Sequence, residues 1–230
     1  MNELLLNSAY FGFVITLGAY LAGLWLKKKT GLAVMNPLLV GVILVIGFLL
    51  ALKVDYQTYM EGAKYISYLL TPSTVCLAIP LYKQLRLLKD NAVAVIGGIT
   101  SGVITSAICI FALAKLLKLD HQMYVTFLPK SITTAIGMGV CEETGGITVI
   151  AVVCIILTGI LGNIIAESLF KLLHIHHPIA RGLALGTSAH AIGTARALEM
   201  GEVEGAMSSL AIAVAGLMTV IVAPLAAGLI

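Results

Sequence analysis

Charge is what this chain has least of: Asp, Glu, Lys and Arg make up 11% of its 230 residues, against about 25% in a soluble domain. Aromatic residues reach only 7%, with a single Trp. The four cysteines, Cys76, Cys109, Cys141 and Cys154, sit in apolar sequence without CxxC spacing, which suggests neither a zinc site nor a disulfide framework and reads as packing. The longest basic run is Lys27-Lys-Lys29 and the net charge is +3, too small and too scattered to indicate nucleic acid as a partner. His174, His176 and His177 lack the HExxH spacing of a zinc protease and read as a loop between membrane segments. No nucleophile stands beside a base, so an enzyme is the least favoured class, and no cofactor is expected.

What the chain does have is apolar length. Hydrophobic residues make up 60% of it and its mean hydropathy is +1.05, which marks an integral membrane protein. Five stretches reach the roughly 20 residues a spanning helix needs: Leu4 to Leu26, Leu32 to Leu52, Asn91 to Ala114, Ile147 to Ala166 and Gly205 to Ile230. Met1-Asn-Glu offers no basic n-region and Leu4 to Leu26 is long for an h-region, so the first segment is expected to stay as a helix. Lys27 to Lys29, directly after it, reads as a cytoplasmic anchor.

Three further pieces are apolar but interrupted. Tyr56 to Leu88 breaks at Thr71-Pro-Ser-Thr74, and His177 to Leu198 breaks around Gly186-Thr-Ser188. Each fits two half-length helices meeting at membrane depth, where irregular backbone survives only against protein or a wet cavity. Met123 to Gly146 opens on Leu128-Pro-Lys-Ser-Ile-Thr-Thr134 and closes on Glu142-Glu-Thr-Gly-Gly146; it is expected to cross, with a polar entrance and exit. Sliding the chain over itself by about 114 residues superposes the hydropathy order of 1–118 on 122–230. In that register Gly102 meets Gly216, Thr105 meets Thr219, and Thr71–Thr74 meets Leu185–Ser188.

The expected fold is therefore an all-α polytopic membrane protein, 1–230 as a single membrane domain, with two structurally repeated halves. If the broken segments are re-entrant hairpins, each half crosses three times and the second is inverted. If they span, the halves run parallel. Hairpins are favoured, because the spanning alternative places Glu142, Glu143, Glu199, Glu202 and Glu204 inside and Lys115, Lys118, Lys171 and Arg181 outside. The hairpin reading, with Lys27 to Lys29 inside, puts those four cations on one side together and the N-terminus outside.

Paired interruptions of this kind are a sequence pointer to a transporter's binding site. Half-helix ends expose unpaired N–H groups and positive dipole ends suited to a carboxylate, and Thr71, Ser73, Thr74, Gly186, Thr187 and Ser188 would form the crossing point. Arg196 is an intramembrane cation, a functional hypothesis by default, with pairing to Glu199 or Glu202 as the structural alternative. His190 could bind an anion or carry a proton, or simply bond a neighbouring helix. Lys130 with Ser131, Thr133 and Thr134 could offer an ammonium and hydroxyls to an anion, or be an interfacial lysine. Glu142 and Glu143, beside Gly145-Gly146, read as a solvated loop. Glu167 precedes Lys171 by four residues, the favourable order for a helical ion pair.

Leu128-Pro-Lys-Ser-Ile-Thr-Thr134, Arg181-Gly-Leu-Ala-Leu-Gly-Thr187, His190-Ala-Ile-Gly-Thr-Ala-Arg196 and Glu204-Gly-Ala-Met-Ser-Ser-Leu210 resemble the motifs of the LrgB/CidB family over essentially the whole chain. Two departures stand out: Ala135 where the family usually has Pro, and Ile147-Thr148 where it usually has Pro and Ser or Thr. The resemblance implies two competing functions in a multi-pass protein of the bacterial plasma membrane. One is an antiholin-like or holin-like role in murein hydrolase activity and lysis, with a small membrane partner of the LrgA/CidA type. The other, implied by relatives that include plastid proteins, is carriage of small carboxylates such as pyruvate, glycolate and glycerate. The residues favour the carrier, of the pyruvate, glycolate, glycerate and lactate class, working by alternating access, in an elevator manner if one half moves, as a homodimer in the lipid bilayer.

Overall fold

Asn36-Pro37 begins a helix for a local reason: the Asn36 side chain accepts from the backbone N–H groups of Leu38 and Leu39, and Pro37 occupies the first turn, where its missing donor costs nothing. In this computed structural model the described residues are 10–31, 35–69, 72, 75–76 and 78–230, the side chains of 78, 80 and 81 excepted. The break expected at Thr71, Ser73 and Thr74 lies outside them. The chain divides into two compact units, Met1–Cys76 and Leu77–Ile230.

The first unit holds α1 (Phe11–Thr30), α2 (Pro37–Leu52) and α3 (Tyr56–Ser67). Gly12 and Gly23 on α1 let the backbones of α3 and α2 approach: a methyl group on either would fall within 3 Å of Tyr59 or Pro37 backbone atoms. The Thr16 and Tyr59 hydroxyls, 2.7 Å apart, tie α1 to α3. Asp55 caps α3, and its carboxyl is held below the usual range by the Thr58 N–H and hydroxyl.

The second unit carries α4 (Ala78–Lys83), α5 (Leu85–Asp90), α6 (Ala92–Leu117), α7 (His121–Phe127), α8 (Thr134–Glu143), α9 (Thr148–Leu172), α10 (Pro178–Met200) and α11 (Glu202–Ala227). Helices α6, α9 and α11 have 26, 25 and 26 residues and mean hydropathies of 2.1, 2.7 and 2.4. At 1.5 Å per residue each outreaches the roughly 30 Å hydrocarbon core. Three of the five expected spans are thus long, apolar helices. Of the other two, α2 is apolar but has 16 residues, and α1 ends on Lys27, Lys28 and Lys29.

Helix α10 does not run straight. Ala189 (φ −132°, ψ 16°) and His190 (φ 41°, ψ −137°) leave helical geometry, and packing against α11 changes direction there. Before the break Gly182 faces Glu204 and Met207, and Gly186 faces Ser208 and Ala211, so the two chains run parallel. After it the Thr194 hydroxyl meets Ser208 at 2.7 Å and Gly205 faces Leu198, so they run antiparallel. A Cβ on Gly193 would lie 2.7 Å from the Leu185 carbonyl oxygen, although eight residues of straight helix rise roughly 12 Å. The chain folds back at Ala189-His190.

The expected position of this break, Gly186 to Ser188, is corrected by one residue or more. Thr187 and Ser188 donate to the carbonyls of Leu183 and Ala184, a helix-compatible pattern for hydroxyl residues. The helix therefore continues through them.

The expected crossing by Met123 to Gly146 is also corrected. Tyr124 Oη donates to the Ala226 carbonyl at 2.9 Å and His121 Nδ1 lies 2.8 Å from the Ile230 carbonyl oxygen, so α7 starts beside the C-terminal end of α11. It descends as far as Ile136, which faces Gly216. The Ile147 N–H then donates to the Thr126 hydroxyl at 2.8 Å, which returns the segment to its starting level. The segment thus folds back on itself instead of running from one end of the unit to the other. Lys115, Lys118, Glu142 and Glu143 share one end of the unit and Lys171 and Arg181 the other, against the expectation that all four cations lie together. Replacing the buried Tyr124 by Phe removes one anchor of this fold-back and should cost about 1 kcal/mol, readable as a lower Tm in detergent.

Candidate functional site

The two fold-backs enter from opposite ends of α11; the turn between α7 and α8 and the arm of α10 before its break both reach the middle of α6. Ser131, in the turn between α7 and α8, lies 3.1 Å from Ser106 of α6, hydroxyl to hydroxyl. One turn of α6 earlier, Gly102 packs on Thr187 of α10. Small residues on α6 allow this: Gly98 and Gly102 leave room for Leu183 and Thr187.

Around this meeting point opens a cavity of about 830 Å³, lined by Asn91, Gly98, Ser101, Gly102, Thr105, Ser106 and Cys109 of α6 and its entry, by Lys130 and Ser131, and by His177, Leu183, Ala184, Thr187 and Ser188. A second cavity of about 340 Å³, lined mainly by apolar residues of α9 and α10, also reaches Lys130 and Ser188. Lys130 is half-buried and its ammonium donates to Ser131 Oγ at 3.0 Å. Among the described residues no carboxylate pairs with it; both ion pairs of the molecule there belong to Arg196. A lysine so placed leaves donors aimed at the cavity and an uncompensated positive charge, which an anionic ligand would satisfy.

Hydroxyl accounting narrows the donors. Ser101, Thr187 and Ser188 spend their hydrogens on carbonyls of their own helices. Thr105 has no side-chain partner among the described residues, and the Ser106–Ser131 pair has one hydrogen beyond its mutual bond. No group of three His, Cys, Asp or Glu residues capable of holding a metal occurs among the described residues.

Of the residues singled out in the sequence, Lys130, Ser131, Thr187 and Ser188 are brought together. Thr71, Ser73 and Thr74 lie outside the described residues. Thr133 and Thr134 begin α8, half-buried and away from the cavity lining. Gly186 is buried under the Ser208 carbonyl and serves contact with α11. His190 is 4% exposed and its Nε2 donates to the Ile155 carbonyl at 2.9 Å, which holds the turn against α9 in a conformation few side chains adopt. Arg196 pairs with Glu167 at 2.8 Å and with Glu199, fastening the returning arm of α10 to α9. That also replaces the expected Glu167–Lys171 pair. Arg196→Gln should lower Tm by a few degrees while leaving ligand binding at the cavity intact, measured by thermal unfolding with and without carboxylate.

Sequence reasoning missed Ser101, Thr105, Ser106 and Cys109. Their signal was present: polar and small residues at 98, 101, 102, 105, 106 and 109 recur at helical spacing within an otherwise apolar span.

A family model described as LrgB-like matches residues 16–229. Proteins named "Antiholin-like protein LrgB" from Bacillus cereus (strain B4264) and Bacillus anthracis (strain CDC 684 / NRRL 3495) are each 41% identical over 217 residues, covering 94% of this chain and 94% of theirs. No solved structure matches. Its long apolar helices and these bacterial relatives make the protein a multi-pass component of the bacterial plasma membrane. The chain belongs to the LrgB-like family.

Proposed function

We propose that this protein carries small monocarboxylates, of the pyruvate, glycolate, glycerate and lactate class, across the plasma membrane by alternating access. The observation that supports this best is Lys130: one cation, no carboxylate partner among the described residues, at the meeting of two interrupted segments in a hydroxyl-bearing cavity. In this reading the two fold-backs of the second unit are re-entrant hairpins inserted from opposite faces. The repeat of 1–118 and 122–230 extends the same plan to Thr71, Ser73 and Thr74, and a homodimer is the working assembly. Movement of one hairpin region past its surroundings, elevator fashion, transfers the site between faces.

The names of the relatives favour a second reading more directly, an antiholin-like role; the family resemblance would make that regulation of murein hydrolase activity and lysis with a small membrane partner of the LrgA/CidA type. A regulator has no use for an unpaired Lys130, so the two readings part there. Thermal unfolding of the purified protein separates them. A ligand present at 100 times its Kd stabilises by about 2.7 kcal/mol, so pyruvate or glycolate should raise Tm where equal chloride does not. No shift with any carboxylate of the class would overturn the carrier reading in favour of the regulator.

A further inference from the structure

Next to the large cavity, and sharing Ser106, Ser131 and Thr187 with it, lies a recess of about 20 Å³ lined also by Leu128, Thr219 and Ala223. That volume holds one oxygen-sized atom and little more. Thr219 is 9% exposed; among the described residues its hydroxyl has no hydrogen-bond partner, and its oxygen is accessible rather than sealed in the core. The recess lining is apolar apart from the hydroxyl residues Ser106, Ser131, Thr187 and Thr219. The Lys130 ammonium bonds Ser131, which lines both spaces, at 3.0 Å. Among the described residues no Asp or Glu lines either space, so a bare cation there would face that ammonium unoffset, whereas a partly negative oxygen would be attracted by it.

We infer that this recess seats one carboxylate oxygen of the transported anion, with Thr219 as a specificity-determining donor and Lys130 holding the second oxygen in the large cavity. This rests on the carrier reading and names the part of the site that recognises the carboxylate itself. The remainder of the substrate then points along α6 towards Thr105, the position that pairs with Thr219 in the repeat register. One-oxygen depth would let a cavity of about 830 Å³ select for carboxylates while tolerating different tails: the carboxylate is read in the recess, and the tail is not.

The test is the Kd of radiolabelled pyruvate for the purified full chain, wild type against Thr219→Val, Thr219→Ala and Thr219→Ser. Loss of a hydrogen bond to a charged group weakens binding by about tenfold or more, so Val and Ala should bind pyruvate at least about tenfold more weakly. Ser, which keeps the hydroxyl, should stay within about threefold of wild type. Where Val at this buried site prevents folding, the Ala and Ser pair carries the same expectation. If wild type binds pyruvate, Lys130→Gln does not, and the Val or Ala variant binds as wild type, the recess holds water only and this inference is overturned while the carrier reading stands. If wild type binds no carboxylate, the carrier reading fails and takes this one with it.

Discussion

Lys130→Gln should reduce carboxylate uptake by at least about 100-fold while leaving the protein folded. The side chain is one atom shorter but keeps a neutral N–H donor, and the backbone of the α7–α8 turn does not depend on the ammonium. What goes is the positive charge, and with it charge-assisted bonds worth roughly twice their neutral equivalents. Truncating one partner of a buried charge pair costs about 2–5 kcal/mol, which brackets the expected loss. Lys130→Arg retains the charge but brings a planar fork in place of a compact ammonium, and should recover only part of the uptake. Uptake by the Gln variant equal to wild type, with unchanged Tm, would show that this lysine is merely interfacial.

The second large effect is structural. Gly186→Val places a Cβ 2.4 Å from the Ser208 carbonyl oxygen and 2.7 Å from the Ala211 Cβ. Both neighbours belong to the buried face of α11, and the nearer is backbone, so neither can step aside as a flexible side chain does. Overpacking costs about 1–3 kcal/mol where a core can adjust; here the expected loss is about 3 kcal/mol or more. The predicted result is a protein that leaves the monodisperse peak on size exclusion in detergent. A well-folded Val variant would mean that α10 and α11 are not packed as closely as described. The same change at Gly139, which has nothing within 4 Å of an added Cβ, should be tolerated.

Much of the architecture could be read from residue order alone, because long apolar runs, proline, glycine and hydroxyl clusters report directly on the bilayer. Asn91 to Ala114, Ile147 to Ala166 and Gly205 to Ile230 became α6, α9 and α11 with small shifts at their ends. The interruption in α10 was also legible, but its position was not. Gly186-Thr-Ser188 has a composition that suits a break, yet Thr and Ser can bond back to their own helix, and the chain turned at Ala189-His190 instead. Nothing local marks an alanine and a histidine as a turn; His190 is held there by the Ile155 carbonyl, 35 residues away.

The fold-back of 121–143 was hidden for a related reason. Length and hydropathy fit a crossing, and only contacts distant in sequence, such as Thr126 with Ile147 and Tyr124 with Ala226, reveal the return. Arg196 illustrates the limit for charges. An intramembrane arginine signals either a ligand or a partner, and the partner that decides the matter, Glu167, lies 29 residues earlier on another helix. Lys130 carried the same ambiguity, and the absence of any such carboxylate around it among the described residues is a property of the fold.

The central claim is that the protein moves a carboxylate through a site of its own. The most direct measurement is uptake of radiolabelled pyruvate, glycolate and lactate into proteoliposomes holding the pure protein, with an entrapped dye followed in the same vesicles. Saturable uptake with the dye retained, lost in the Lys130→Gln variant, is the predicted result. Dye release would mean a pore, and vesicles that neither take up carboxylate nor leak would contradict the carrier and leave the antiholin-like regulator as the function.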